Sequence, residues 1–431
     1  LYRNGELINS ISIGRPFAVY KLKIVPPVEN QEKFLELLER FFAFSIPRVY
    51  TAKTLAAELA KRTRFLRDQV IIEELKEEEQ KQSGYLLGFY KAFKDHLIAT
   101  LTQKDFANLY AQTITYGLFV ARSRAMNGFN RKLAYDYIPH TIGILRDVFK
   151  FVSLGELPIS MEWIVDDIAE VLAVANVKKI MYEFYKEGKG KDPVIHFYET
   201  FLAEYDPTER EKRGVYYTPE PVVSYIVHST HQLLKEKFGK EDGFATKSLT
   251  VLDPAAGTLT FLAETVRQTI EEYKKKFGDG GIKGLIKDHI LKNFYAFELM
   301  MAPYAVGHLK IGFVLEEFGY KLSQDERFNL YLTNTLDFTK EDPNKLPGIL
   351  EQTIAKESGD ALDIKENIPI MVIMGNPPYS GASENKGDWI LKQIEEYKKI
   401  EGKSLGERNP KWIQDDYVKF FRFAQWKIEK T

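Results

Sequence analysis

From Ile368 to Met374 the chain reads Ile-Pro-Ile-Met-Val-Ile-Met, an almost unbroken apolar run. A strand with one wet face alternates apolar and polar residues. A run without alternation has both faces covered, as in a parallel sheet with helices on either side. Three shorter apolar segments upstream fit the same sheet: Leu249–Leu252, Phe294–Phe297 and Leu330–Leu332. Helical patterns lie between them, one carrying Phe261, Leu262 and Val266 and another starting near Ala302. The expectation for residues 206–431 is an α/β domain with a parallel-sheet core. Residues 338–366 read as a polar, charged insertion before the fourth strand, and 380–412 as a mobile polar loop.

Before Asp206-Pro207 the texture is different. Phe34, Leu37, Leu38, Phe41 and Phe42 recur at helical spacing, as do Leu55, Leu59, Leu66 and Val70. Phe106, Leu109, Tyr110, Thr113 and Gly117 follow, and then Ile164, Ile168, Val171, Leu172 and Ala175. The charge run from Glu73 to Gln80 reads as a solvated helix face. Residues 30–205 are therefore expected to form an all-helical domain. Residues 1–29 read as the end of an upstream unit or a linker, with a hairpin turn around Asn4-Gly5.

Composition removes several function classes. The chain of 431 residues has no cysteine, which excludes disulfides, thiolate zinc sites and cysteine nucleophiles. No metal site is expected. No run of about 18 apolar residues occurs, so no membrane span is expected, and a cytoplasmic protein is the default. Lys plus Arg number 60 and Asp plus Glu 61, a net charge of −1. A nucleic-acid partner would have to be held by a local basic cleft. Gly402-Lys403-Ser404 resembles the end of a phosphate-binding loop, but Tyr397 stands where that loop needs glycine.

Four motifs carry chemistry. In Val251-Leu252-Asp253-Pro254-Ala255-Ala256-Gly257-Thr258 an acidic residue ends a strand and a small-residue turn leads into a helix. Such a turn lets a ligand approach the backbone, and the helix start offers free N–H groups. A tight strand–helix connection explains it as well. Glu298 ends the next strand, where a carboxylate can accept two hydrogen bonds from ribose hydroxyls. Gly375-Asn376-Pro377-Pro378-Tyr379 follows the fourth strand and is the most specific feature. Its prolines fix the backbone and direct a carbonyl outward, Asn376 adds a side-chain carbonyl, and Tyr379 offers a flat face. Two acceptors can hold both hydrogens of one –NH2 group. In Arg213-Gly214-Val215-Tyr216-Tyr217-Thr218-Pro219, Thr218 can cap a helix opening with Pro219.

In this order the motifs resemble the adenine-specific amino-methyltransferases of the gamma arrangement, above all the modification module of type I and type ISP restriction–modification enzymes. The likeness covers about residues 206–431, and Ala302-Pro303-Tyr304-Ala305-Val306-Gly307-His308-Leu309-Lys310 is also similar to that group. It implies a Rossmann-like methyltransferase domain preceded by a helical, coupling-type domain. The cofactor would be S-adenosyl-L-methionine and the substrate double-stranded DNA with a flipped adenine. By position, Tyr217 and Thr218 would contact the methionine end of the cofactor. Asp253, Ala255 and Gly257 would line its methionine and ribose region, and Glu298 would hold the ribose. Asn334, or alternatively Asp337, would lie near adenine and the substrate base. Asn376 and the Pro377 carbonyl would accept from the target amino group, with Pro378 beside the base and Tyr379 stacked on it.

Leu259 departs from the family pattern by occupying a glycine position of the turn, and its bulk is expected to narrow the cofactor pocket. Adenine must leave the stack to react. Two acceptors on its amino hydrogens would favour a pyramidal nitrogen with an exposed lone pair, and no metal or covalent nucleophile is needed. Amino-methyltransferases of RNA or of protein glutamine use the same element, and a non-catalytic cofactor-binding scaffold is the remaining alternative. A complete sheet in that family has more strands than the four placed here. The expectation is therefore a truncated sheet with Ile368–Met374 as a bare edge. The native chain would continue with a target-recognition domain, and nuclease or helicase parts would lie outside these residues.

Overall fold

The computed structural model describes residues 2–3, 6–7, 11, 13, 29–42, 51–125, 128–140, 142–177, 179–180, 182, 193–205, 218–323, 325–340, 342–343, 349–379, 383, 385–406 and 411–430. The chain divides into two compact units, Leu1–Arg48 and Val49–Thr431. In the first, β1 (Tyr2–Arg3) pairs antiparallel with β2 (Glu6–Leu7); Asn4 and Gly5, where a turn is expected, lie outside the described residues. Helix α1 spans Gln31–Phe42.

The second unit opens with helices. α2 (Ala52–Phe65) is capped by Thr51 and runs through a π-helical turn, Leu66–Ile71, into α3 (Ile72–Lys81). The Glu73–Gln80 run lies on α3 with Leu75 as its buried residue, so the charges face mostly outward as expected. Then come α4 (Tyr85–His96), α5 (Gln103–Arg124), α6 (Arg131–Tyr137), α7 (Gly143–Phe149), α8 (Ile159–Val174) and α9 (Pro193–Tyr205). α5 is buried from Phe106 to Ala121 except at Gln112, too continuous for a surface helix. It packs against the helices around it and against a helix of the sheet region, α12 (Met301–Glu317).

The sheet holds β3 (Val251–Asp253), β4 (Phe294–Glu298), β5 (Asn329–Leu332) and β6 (Val372–Ile373), in the order β5-β4-β3-β6 and all parallel. β3 and β4 are buried along their whole length, as an unbroken apolar strand requires. After α10 (Glu220–Lys237) enters the sheet region, α11 (Thr260–Phe277) crosses from β3 to β4, and α12 from β4 to β5. The chain then returns through α13 (Ile349–Asn367) to place β6 on the far side of β3. The strand order thus reverses at β3. In open parallel sheets that is where a crevice opens beyond the carboxyl ends.

Two sequence expectations change here. The stretch 338–366 contains α13, whose Ile354, Ala355, Ala361, Leu362 and Ile364 are buried. The stretch 380–412 contains α14 (Asp388–Glu395) and the small antiparallel pair β7 (Lys399–Ile400) and β8 (Lys403–Ser404). α13, α14 and α15 (Asp416–Glu429) build one apolar cluster: Ile364, Ile390, Ile394, Phe420 and Phe423 close over Leu252, Tyr295 and Phe297. The fourth strand is also shorter than the apolar run, because only Val372 and Ile373 enter the ladder. Among the described residues, β6 is an edge of the four-stranded sheet. No helix of the described residues is long and apolar enough to cross a membrane.

Candidate active site

Asp253 is the last residue of β3 and is fully buried. Its Oδ1 accepts from the Ala255 N–H at 3.1 Å, while Oδ2 has no hydrogen-bond partner among the described residues. Burial raises its pKa to about 8. The Ala255 N–H opposes that shift and the neighbouring Glu298 charge adds to it. The turn is tied down on both sides. Ala256 N donates to Phe297 O at 2.9 Å, and Thr335 Oγ donates to Pro254 O at 2.5 Å.

Glu298, at the end of β4, closes the turn from the other strand. Its Oε2 accepts from Gly257 N and its Oε1 from Met300 N, each at 2.7 Å. Burial raises its pKa to about 7 although backbone N–H groups of Met300, Gly257 and Leu299 favour the ionised form. Gly257 itself has φ +53°, and a Cβ built on it meets nothing within 4 Å. The backbone of the turn therefore faces open space.

Leu259 has the left-handed backbone, φ 65° and ψ 32°, that a glycine would adopt more readily. Its side chain is fully buried, and its Cβ lies 3.3 Å from where a Cβ on Gly307 of α12 would stand. The bulk is thus absorbed where α12 has no side chain. It stays clear of the open side of Gly257, contrary to the expectation of a narrowed pocket.

On the other side of β3 the Gly375–Tyr379 turn comes against the same carboxyl. A Cβ on Gly375 would stand 2.5 Å from Asp253 Oδ1, so only glycine permits this approach. Asn376, Pro377 and Pro378 are half-buried. Asn376 Oδ1 accepts from the Tyr379 hydroxyl at 2.7 Å, and the Tyr379 ring, 50% exposed, stacks on Tyr417 of α15 with centroids 5.4 Å apart. Neither contact is signalled by the local sequence pattern.

Asn334 follows β5. Its Oδ1 accepts from Leu336 N and its Nδ2 donates to Asn385, both at 3.0 Å. Asp337 instead spends Oδ1 on the Thr339 N–H and hydroxyl. Lys365 of α13, completely buried, donates to the carbonyls of Asn334 and Asp337 at 2.7 and 2.9 Å. Burial lowers its pKa to about 7 against the pull of Asp337.

The structure thus joins Asp253, Ala255, Gly257, Glu298 and Gly375 into one cluster, with Asn334 and Asn376 at its edges. Thr218 makes no hydrogen bond to that cluster among the described residues. It does not cap the following helix either. α10 begins at Glu220 with Pro219 as N-cap, and a proline side chain carries no acceptor to cap the helix. Tyr217 and the rest of 213–217 lie outside the described residues. No group of acidic and histidine side chains placed to hold a metal occurs among the described residues.

A parallel sheet that reverses at an acidic strand end, with a glycine turn on one side and an Asn-Pro-Pro-Tyr turn on the other, is a Rossmann-like methyltransferase domain preceded by helices. The family model described as N-6 DNA Methylase matches residues 189–415, and the chain belongs to that family. The family implies S-adenosylmethionine as methyl donor. The residues fit such a cation: Asp253 Oδ2 is a buried acceptor without a partner among the described residues, and the face of Gly257 in the same turn is open.

No curated protein matches the chain. Among solved structures it is similar to the ATP-dependent Type ISP restriction-modification enzyme LlaBIII bound to DNA, at 20% identity and a TM-score of 0.62 over 88% of this chain and 24% of that one. It is also similar to a nuclease-deletion mutant of the Type ISP enzyme LlaGI with a DNA substrate mimic, at 18% identity and a TM-score of 0.61, over 92% of this chain and 30% of that one. A DrdV–DNA complex matches at 20% identity and a TM-score of 0.61, over 92% of this chain and 36% of that one. The chain spans between about a quarter and a third of the length of these proteins, and the likeness concerns the fold.

Proposed function

We propose that this chain carries the active site of a site-specific DNA adenine methyltransferase that works within a cytoplasmic restriction–modification protein. In this reading residues 206–431 form the methyltransferase domain, 30–205 a helical coupling domain and 1–29 a linker. The partners are double-stranded DNA with a flipped adenine and further domains for target recognition. The observation that carries the reading is the close approach of the Gly375–Tyr379 turn to buried Asp253, which sets two dissimilar binding surfaces side by side at the strand reversal.

Asp253, Ala255, Gly257 and Glu298, together with Tyr217 and Thr218, would hold S-adenosylmethionine, and Asn334 would lie near its adenine. Bound there, the cofactor supplies an electrophilic methyl group. The remaining work belongs to the Asn-Pro-Pro-Tyr turn. Asn376 Oδ1 and the Pro377 carbonyl accept the two hydrogens of the target amino group, Pro378 lines the base, and the Tyr379 ring stacks on it. Pre-set acceptors of this kind stabilise the charge developing on nitrogen without reorganising during the step. Before the base arrives, Asn376 Oδ1 is satisfied by the Tyr379 hydroxyl, so base entry is an exchange of hydrogen bonds.

The test is transfer of labelled methyl groups from S-adenosylmethionine to DNA, RNA and protein by the full-length protein. Label on the adenine amino group of DNA is expected. Asn376→Ala should lower the rate by about 100–1000-fold with cofactor affinity retained. Label on RNA or on glutamine amides would redirect the substrate assignment. Cofactor binding without transfer to any of the three would select a scaffold.

A further inference from the structure

The helix α15 touches both halves of the site through two consecutive residues. Asp416 is buried, and its Oδ1 accepts from Asn385 Nδ2 at 2.9 Å and from the Ser383 hydroxyl at 2.5 Å. Asn385 Oδ1 in turn accepts from Asn334 Nδ2 at 3.0 Å. An ionised carboxylate only accepts, so Asn385 must turn its –NH2 towards Asp416 and its carbonyl towards Asn334. The direction of the chain of hydrogen bonds is set from the α15 end. Lys419, one turn on and also buried, donates to the Ser383 hydroxyl at 2.7 Å and to the main-chain carbonyl of Asn385. The segment around Ser383 and Asn385 is thereby pinned to the first turn of the helix.

The next residue, Tyr417, stacks on Tyr379 with ring planes 23° apart. Tyr379 donates to Asn376. A path therefore runs Asn334–Asn385–Asp416 through hydrogen bonds, passes from Asp416 to Tyr417 along the backbone of α15, and continues through ring stacking and a hydrogen bond to Tyr379 and Asn376. Its two ends are the residues assigned above to cofactor adenine and to target base. We propose that Asn385, Asp416 and Tyr417 are positioning residues that couple cofactor binding at Asn334 to the placement of the base-stacking Tyr379. This rests on the functional reading above. None of the three residues need touch the reacting atoms. They act by making the orientation of Asn334 and the position of Tyr379 depend on one rigid helix turn, so that either ligand, in fixing its own end, lowers the ordering cost of the other.

Coupling of this kind is reciprocal and is measured with binding alone. S-adenosylhomocysteine, which cannot transfer a methyl group, is titrated into the full-length protein with and without a single-stranded oligo(dA), whose unpaired adenines need no recognition sequence. The wild type is expected to bind the cofactor product at least about fivefold more tightly with the oligonucleotide, the lower end of common coupling factors. Asn385→Ala and Tyr417→Ala cut the path at different links. Each should reduce the factor to below about twofold. Affinity for S-adenosylhomocysteine alone should stay unchanged in Tyr417→Ala and weaken in Asn385→Ala, which also releases Asn334. Tyr417→Phe, which keeps the ring, should retain wild-type coupling. Independent binding of the two ligands to the wild type overturns the proposal, and so does wild-type coupling in both path variants. Two controls separate these outcomes from failure of the site assignment itself. Tyr379→Ala should lose oligo(dA) binding, and Asn334→Ala should weaken S-adenosylhomocysteine binding. If either binds as the wild type does, the assignment of that end falls and the coupling falls with it.

Discussion

At the glycine turn two carboxyls lie buried with raised pKa values, whereas at the Asn-Pro-Pro-Tyr turn the polar groups are half in solvent and bond to each other. Removing a carboxyl from water is expensive. The fold accepts that cost on the side where the ligand's partners must be rigid before it arrives. Glu298 is held by two backbone N–H groups and Asp253 by one, on strands that belong to the core. The other side avoids the cost. Its Asn and Tyr bond to one another at the surface, and in the proposed reading they are released when a planar group with its own donors comes in. One half of the site is part of the core, and the other is closed provisionally on itself.

The largest effect that would test this contrast is expected from Glu298→Ala. It strips the acceptor from Gly257 N and Met300 N, and each buried donor left without a partner costs about 1–3 kcal/mol. Thermal melting should show the loss directly, and calorimetry should show cofactor binding weakened as well. If Glu298→Ala melts like the wild type and binds cofactor equally well, the carboxyl is neither holding the turn nor meeting the ribose. Gly375→Ala should come next. It places a methyl group against the Asp253 carboxyl, and overpacking of this sort costs about 1–3 kcal/mol. Because it disturbs the contact between the halves, affinity for cofactor should fall too. Unchanged melting and affinity would mean that the two turns adjust independently.

A smaller effect separates the halves by pH. Burial has raised the Asp253 and Glu298 pKa values to about 8 and about 7, so the fold favours their protonated forms. Their contribution to stability is complete below the ordinary carboxylate range and is lost as pH rises through those two values. The ligand-free protein should therefore become less stable between pH 5 and pH 8.5. A cationic ligand beside Asp253 favours the ionised form. Its affinity should rise over the same window by at most about tenfold per pH unit for each proton released. Lys365, with its pKa lowered to about 7, adds a slope of the opposite sign, so the quantity to compare is wild type against Asp253→Asn. The variant should flatten both dependences. No difference in slope would place the titration elsewhere.

The buried half was legible in the sequence through its strands, although the Asn-Pro-Pro-Tyr motif was the more specific signal. Apolar runs with an acid at the strand end announce a parallel sheet and its crevice, and Asp253 and Glu298 lie at the ends of β3 and β4 as the pattern requires. The misreadings came from charge. The stretch 338–366 reads as a surface insertion because it is rich in Glu, Asp and Lys, yet Glu357 and Lys365 are buried. Arg327 pairs with Glu357 at 2.6 Å, and Lys365 is surrounded by carbonyls, so their charges are compensated by residues distant in sequence. In the same way, nothing local to Ser383, Asn385 or Asp416 signals that they meet. Only the return of α15 over the sheet brings them together.

The smallest expected effect concerns Leu259, where sequence and structure differ most instructively. A left-handed backbone costs a non-glycine residue about 1 kcal/mol, and full burial of a leucine returns about 1.5–3 kcal/mol. Leu259→Gly relieves the first and forfeits the second, so the net loss should be about 1 kcal/mol, a shift of a few degrees in melting temperature. Cofactor affinity should stay within about twofold, since a ΔΔG below about 0.4 kcal/mol is all that a change on the far side of the turn should transmit. The reason is geometric. The leucine occupies the space that Gly307 leaves open in α12, while the face of Gly257 that would meet the ligand has nothing within 4 Å of a built Cβ. The same geometry makes Gly307→Ala worse than Leu259→Gly. Its methyl group would stand 2.9 Å from Leu330 and 3.3 Å from Leu259, and both are locked in the core. Calorimetry on the two variants decides the matter. A large gain in affinity for Leu259→Gly would mean that the side chain does obstruct the cofactor, and that the turn is tuned at this position rather than merely packed.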